Sequence, residues 1–119
     1  MTEHKEVKKV WGKEIWIVNR DYCGKKLILN KGFRCSMHYH KLKDETFYLL
    51  SGKVLLEIGI KRRIMLPGDS MLIKPYQKHR FTGLEDSEII EFSTHHDDSD
   101  SYRDEVSGKV DLDKLELPE

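Results

Sequence analysis

The chain has 119 residues, and its 21 Lys plus Arg balance 21 Asp plus Glu, for a formal net charge of zero at pH 7. That length fits one domain around one modest core, and the balanced charge lacks the basic excess that marks nucleic-acid or membrane-surface partners. The longest apolar runs, such as Phe47 to Leu50 and Val54 to Leu56, are far too short to span a bilayer; the N-terminus, Met1 to Val10, is charged rather than signal-like, so a cytoplasmic location is expected.

Short apolar runs separated by turn signals predict strands in this order: Glu14 to Asn19, Cys23 to Leu29, Arg34 to Tyr39, Glu45 to Ser51 and Lys53 to Ile58. Lys61 to Leu66, Ser70 to Ile73, His79 to Gly83 and Glu88 to Ser93 follow. The punctuation between them is turn chemistry, at Asn30-Lys31-Gly32, Ser51-Gly52, Ile58-Gly59, Pro67-Gly68-Asp69 and Gly83-Leu84-Glu85-Asp86. With no long stretch of helical period, the fold class is all-β and antiparallel. Residues 1–96 are expected to form the domain, with residues 1–22 as an N-terminal strand arm. From Asp97 acids outnumber bases, so residues 97–119 are expected to be a flexible acidic tail. Cys23 and Cys35 belong to no Cys-x-x-Cys pair and read as small buried hydrophobes.

The chemistry concentrates between Gly32 and Gly52. Side chains two apart on a strand share a face, so His38 and His40 project together. Glu45 follows after a short polar stretch, with Asp44 the alternative carboxylate, and His79 stands in a similar strand-end setting. Imidazole and carboxylate together suit a divalent ion such as Mn, Fe, Co, Ni or Zn.

These residues resemble the motifs of the cupin superfamily, an antiparallel jelly-roll barrel also described as a double-stranded β-helix. The first motif is Gly, five residues, His-x-His, three or four residues, Glu, six residues, Gly, and it is filled by Gly32, His38, His40, Glu45 and Gly52. The second keeps Gly68 and His79. Lys74, Tyr76 and Gly83 stand where it has Pro, Gly and Asn, so its turn chemistry has changed. The resemblance, over Leu27 to Phe92, implies one divalent metal held by His38, His40, Glu45 and His79, with coordination positions left open. A softer resemblance, through Val10-Trp11-Gly12-Lys13-Glu14 and through His95 to Asp98 and Ser101 to Arg103, is to the cupin domains of type II mannose-6-phosphate isomerases and D-lyxose isomerases.

Strand alternation counted back from His38 places Ser36 and Arg34 on the same face, where an Arg calls for an anion. Lys74, in the loop before His79, is a further candidate for substrate binding. On the last strand, Glu91 faces away from Ile90 and Phe92 and is the candidate general base for aldose–ketose proton transfer. His95 and His96 cannot point the same way from an extended strand. The expected function is therefore that of a metal-dependent cupin that binds, isomerises or epimerises a sugar or sugar phosphate. An iron-type cupin dioxygenase and a non-catalytic ligand-binding cupin are the alternatives. A homodimer is expected, because jelly-roll edge strands need covering and Lys8 to Trp16 offers an arm.

Overall fold

The structure is a computed structural model and describes residues 4–118. Residues 1–3 of the expected N-terminal arm and residue 119 of the expected tail lie outside the described residues. The chain forms β1 (Lys5–Lys9), β2 (Gly12–Asn19), β3 (Tyr22–Leu29), β4 (Phe33–Arg34), β5 (His38–Tyr39), β6 (Glu45–Ser51) and β7 (Val54–Ile58). It continues with β8 (Lys61–Met65), β9 (Ser70–Ile73), β10 (His79–Gly83), β11 (Ser87–Thr94), β12 (Tyr102–Arg103) and β13 (Gly108–Lys109). One sheet runs β1-β2-β3-β11-β6-β9; the other runs β12-β5-β10-β4-β13, with β7 joined to β10 and β8 to β7. Paired strands are antiparallel, and the two sheets face each other as an open jelly roll. No helix among the described residues is long and apolar enough to cross a membrane.

The inward positions of the first sheet change character along its length, and that change creates the site. On β3 the buried positions run Cys23, Lys25, Leu27, Leu29; on β6 they run Glu45, Phe47, Leu49; on β11 they run Ser87, Ile89, Glu91. Pairing brings Ile89 opposite both Leu27 and Leu49, and Glu91 opposite Lys25 and Phe47. One end of the sandwich is therefore an apolar core, which Trp11, Cys35, Val54, Leu56, Met65, Ile73 and Phe81 complete. Burying each large side chain there is worth roughly 1.5–3 kcal/mol. The other end is lined by charges.

Three expectations change. The strand expected over Arg34 to Tyr39 divides into β4 and β5, with no strand at Cys35 to Met37. Lys5–Lys9 adds an edge strand that folds onto β2 of its own chain, with Lys5 opposite Trp16 and Lys9 opposite Gly12. The acidic segment after Thr94 is not a detached tail: Tyr102 and Arg103 pair with Tyr39 and His38, and Gly108 and Lys109 pair with Arg34 and Phe33. Its acids are engaged, Asp100 as acceptor of backbone N–H groups and Asp98, Asp104 and Glu105 with the side chains of His96, Lys78 and Arg80, which net charge along the sequence does not reveal.

Motif glycine Gly52 has φ 93°, and a Cβ there would lie 2.2 Å from Ser87 Oγ, so a larger residue is excluded twice over. Both cysteines are free and buried, and burial pushes the Cys35 thiol up to about 12, far from thiolate chemistry.

Candidate metal centre

β5, its exit and the start of β10 bring three histidines together. The ligand atoms of His38, His40 and His79 lie within 4.8 Å of one another. Each ring is oriented by a backbone carbonyl: His38 Nδ1 donates to Ser36 O at 2.7 Å, His40 Nδ1 to Asp100 O at 2.9 Å and His79 Nδ1 to Gln77 O at 2.9 Å. A carbonyl only accepts, so Nδ1 carries the proton in all three. Nε2 is left with its lone pair free for the cluster, the tautomer that a metal requires. Burial, aided by the neighbouring rings, lowers His38 to about 3; burial likewise lowers His79 to about 4. The His38 and His79 rings are thus neutral at physiological pH.

Glu45 Oε2 lies 3.2 Å from His40 Nε2 and 3.5 Å from His79 Nε2. With both rings protonated at Nδ1, lone pairs face lone pairs across those distances. Glu45 Oε2 and His79 Nε2 are buried and without a hydrogen-bond partner, which is costly unless a cation lies between them. The donor set and the orphaned atoms fit a divalent first-row ion. Asp44, the alternative carboxylate, is exposed.

Beside the cluster is a cavity of about 80 Å³ whose wall includes Glu14, Lys25, Ser36, Lys43, Glu91 and His96. Lys43 is only 3 % exposed; its Nζ lies 3.1 Å from Glu91 Oε2, 3.0 Å from His96 Nδ1 and 3.7 Å from Glu45 Oε1. Burial works against the Lys43 ammonium, but Glu91 and Glu45 outweigh it and raise its pKa. Burial likewise opposes the Glu45 carboxylate, while the Lys43 ammonium beside it favours the charged form, and its pKa lies below the ordinary range. Lys43 donates to His96 Nδ1, so His96 Nε2 donates to Asp98 Oδ1 at 2.8 Å, and burial followed by the Lys43 charge lowers the His96 pKa. Glu91 Oε2 also accepts from Ser93 Oγ at 2.9 Å. Farther along, Lys25 Nζ sits 3.3 Å from Glu14 Oε1 and 4.2 Å from the Trp16 ring.

Of the residues singled out from the sequence, His38, His40, His79, Glu45, Ser36 and Glu91 meet at this end of the sandwich. Arg34 and Lys74 do not line the cavity. Alternation counted back from His38 fails for Arg34 because the strand is interrupted between β4 and β5. Lys74 is exposed in the turn, where its backbone N–H donates to Gln77 Oε1. His96 is buried in the cavity wall, whereas His95 is exposed and bonds Arg20 O. Lys25, Lys43 and Asp100 were missed. Lys25 and Lys43 carry a legible signal, since Lys25 alternates with Leu27 and Leu29, and Lys43 with Glu45 and Phe47.

Tyr76 stands where the second motif has Gly, and it keeps the conformation a glycine would take, with φ 70°. Its N–H donates to His40 O at 2.7 Å, so the altered turn still delivers His79 to His40.

A double-sheet jelly roll with three converging imidazoles defines a protein of the metal-competent β-barrel class. The chain belongs to the cupin family: the family's Cupin domain profile matches residues 26–93, more than half of its length. No curated protein sequence matches it. Among solved structures, KdgF from Halomonas sp. is 20% identical with a TM-score of 0.73, over 82% of this chain and 90% of that one. CapF, the capsular polysaccharide assembling protein of Staphylococcus aureus, is 18% identical with a TM-score of 0.77; it covers 89% of this chain, which spans only 35% of CapF. A Streptomyces Pac13 variant with uridine is 11% identical with a TM-score of 0.77, over 94% of this chain and 90% of that one. At these identities the likeness is one of fold.

Proposed function

We propose that this chain is a metal-dependent cupin that binds and isomerises or epimerises a sugar or sugar derivative. The observation that carries the reading is the cluster of His38, His40 and His79, whose ligand atoms lie within 4.8 Å of one another beside the unpartnered Glu45 Oε2, at the edge of a charged cavity. His38, His40, His79 and Glu45 would hold the ion. When bound, a divalent metal supplies Lewis acidity, polarising a carbonyl or hydroxyl oxygen. Two structural neighbours, the capsular polysaccharide assembling protein CapF and a Pac13 variant with uridine, support a polyol-bearing ligand as the class.

Glu91 is the proposed base. Its Oε2 is held by Lys43 and Ser93, and no hydrogen bond from the described residues reaches Oε1, which is therefore free to take a proton. Ser36, at the cavity wall, is the proposed hydroxyl contact. The proposal includes a homodimer joined through the exposed β1 edge, where an in-line mass measurement showing only monomer would exclude it.

The test is elemental analysis of unchelated protein, followed by a screen of aldoses, ketoses and their phosphates against wild type and Glu91→Gln. Isomerisation lost in Glu91→Gln with metal content intact supports the reading. Ligand affinity unchanged by Glu91→Gln, without turnover in either protein, identifies a binding module instead. Oxygen consumption dependent on iron identifies a dioxygenase.

A further inference from the structure

A second cavity opens between the β7–β8 hairpin of one sheet and β9 of the other. Its volume is about 570 Å³, and Leu56, Ile58, Lys61, Arg63, Met71 and Gln77 are among its walls. It shares no lining residue with the cavity beside the metal cluster.

The register of β7 with β8 shows why this opening is unusual. Directly opposed residues of an antiparallel pair share a face. Val54 opposes Met65, and both belong to the core. Continuing outward, Leu56 opposes Arg63 and Ile58 opposes Lys61. Leu56 is a core residue and Ile58 packs against the core, so Arg63 and Lys61 hold inward-face register positions at the open end of the sandwich, where both side chains stay exposed. Such positions are apolar in an ordinary sandwich strand. Arg62 also lines the opening, but its guanidinium is already used: it donates to the backbone carbonyl of Glu116. Lys61 and Arg63 join none of the ion pairs among the described residues. Across the opening, Met71 of the other sheet packs against the core and Leu72 is 49% exposed.

We propose that this opening is a binding site for an amphipathic monoanion, of the medium-chain carboxylate type. The apolar body lies against Ile58, Met71 and Leu72, and the carboxylate meets Lys61 and Arg63 at the rim. Arg63 offers a planar fork of donors that matches a carboxylate, and Lys61 adds a point charge. The volume falls within the roughly 300–1,000 Å³ typical of small-molecule sites. A neutral ligand of the same length would gain the apolar contacts but not the head-group bonds. The inference stands on the β7–β8–β9 opening alone and does not depend on the metal or on sugar chemistry.

Methionine-methyl NMR on full-length, metal-free protein tests it, because Met71 lines the opening while Met65 is a core residue. Decanoate, titrated against decanol as the neutral control, is expected to shift the Met71 methyl saturably and to bind at least tenfold more tightly. Replacing both cations, Lys61→Gln with Arg63→Gln, is expected to weaken decanoate at least tenfold and leave decanol unchanged, with an unshifted Met65 methyl reporting an intact core. A Met71 methyl that ignores decanoate, equal binding of decanol, or full decanoate affinity in the double variant would each overturn the proposal. So would a Met71 resonance that moves on dilution without any ligand, since the occupant would then be a second copy of the chain.

Discussion

Asp100 holds His40 and its neighbouring loop at once. Its backbone carbonyl receives the His40 Nδ1 proton at 2.9 Å, and its carboxylate accepts the N–H groups of Lys41 at 2.9 Å, Leu42 at 3.1 Å and Lys43 at 3.0 Å. The segment that looks like an acidic tail thus orients a metal-site imidazole and the turn that leads to Glu45.

Asp100→Ala leaves the carbonyl but strips three N–H groups of their acceptor. Loss of such supporting contacts typically weakens metal affinity by about 10- to 100-fold. Isothermal titration with zinc and with manganese should show that loss for Asp100→Ala, and a much smaller one for the exposed Asp97→Ala. Equal affinities would mean that the loop holds its shape without Asp100.

Lys43→Met leaves Glu91 and Glu45 buried without their cation. Breaking a buried ion pair from one side costs about 3–5 kcal/mol, and Lys43 is 3% exposed, so screening by solvent is small. Urea unfolding should show this loss at an unchanged m-value. Adding Glu91→Leu should recover part of it, and a Lys43→Met loss below about 1 kcal/mol would contradict the burial argument.

The metal-free protein should lose stability with acid in a defined window. His38 at about 3 and His79 at about 4 lie below the ordinary 6.5. As pH falls below 6.5, the unfolded chain binds protons that the folded rings refuse. The contribution of the neutral rings is therefore complete above that value and is lost as pH falls towards 4 and then 3. Denaturation midpoints of chelated protein, taken from pH 7.5 to 4.5, should decline on the acid side, and His79→Gln should flatten the decline. A profile unchanged by His79→Gln would remove this assignment.

Tyr76 bears a left-handed backbone at φ 70°, a conformation costing a non-glycine residue about 1–2 kcal/mol. Tyr76 is 65% exposed, and its ring stacks on Tyr39 only at 6.4 Å, so the side chain returns little. Tyr76→Gly should leave the melting temperature unchanged or raise it, while the β-branched Tyr76→Val should lower it. Thermal scans of the pair decide the matter, and a more stable Val variant would show that the turn relaxes.

The strands that were easiest to read are those with one inward face throughout: β6, β9 and β10 have the expected bounds because alternation and flanking turns agree. The clustered residues His38, His40, His79 and Glu45 were legible for a similar reason, since motif spacing encodes strand parity and turn length. Arg34 was misplaced because parity does not survive a strand break. Asp100 went unread because it acts on His40, 60 residues away in the chain, and alternation, which marks Lys43 as inward, does not show its partner Glu91, 48 residues away.

By itself, then, the amino-acid order determined an antiparallel β domain, its cupin motifs and a histidine cluster, because these depend on local period and short spacings. Only the tertiary structure decided that charged positions on β3, β6 and β11 fall at one end, that the acidic segment clamps β5, and that β8 sets two cations opposite Leu56 and Ile58. Register between distant strands sets which side chains face each other, and no spacing along the chain records it.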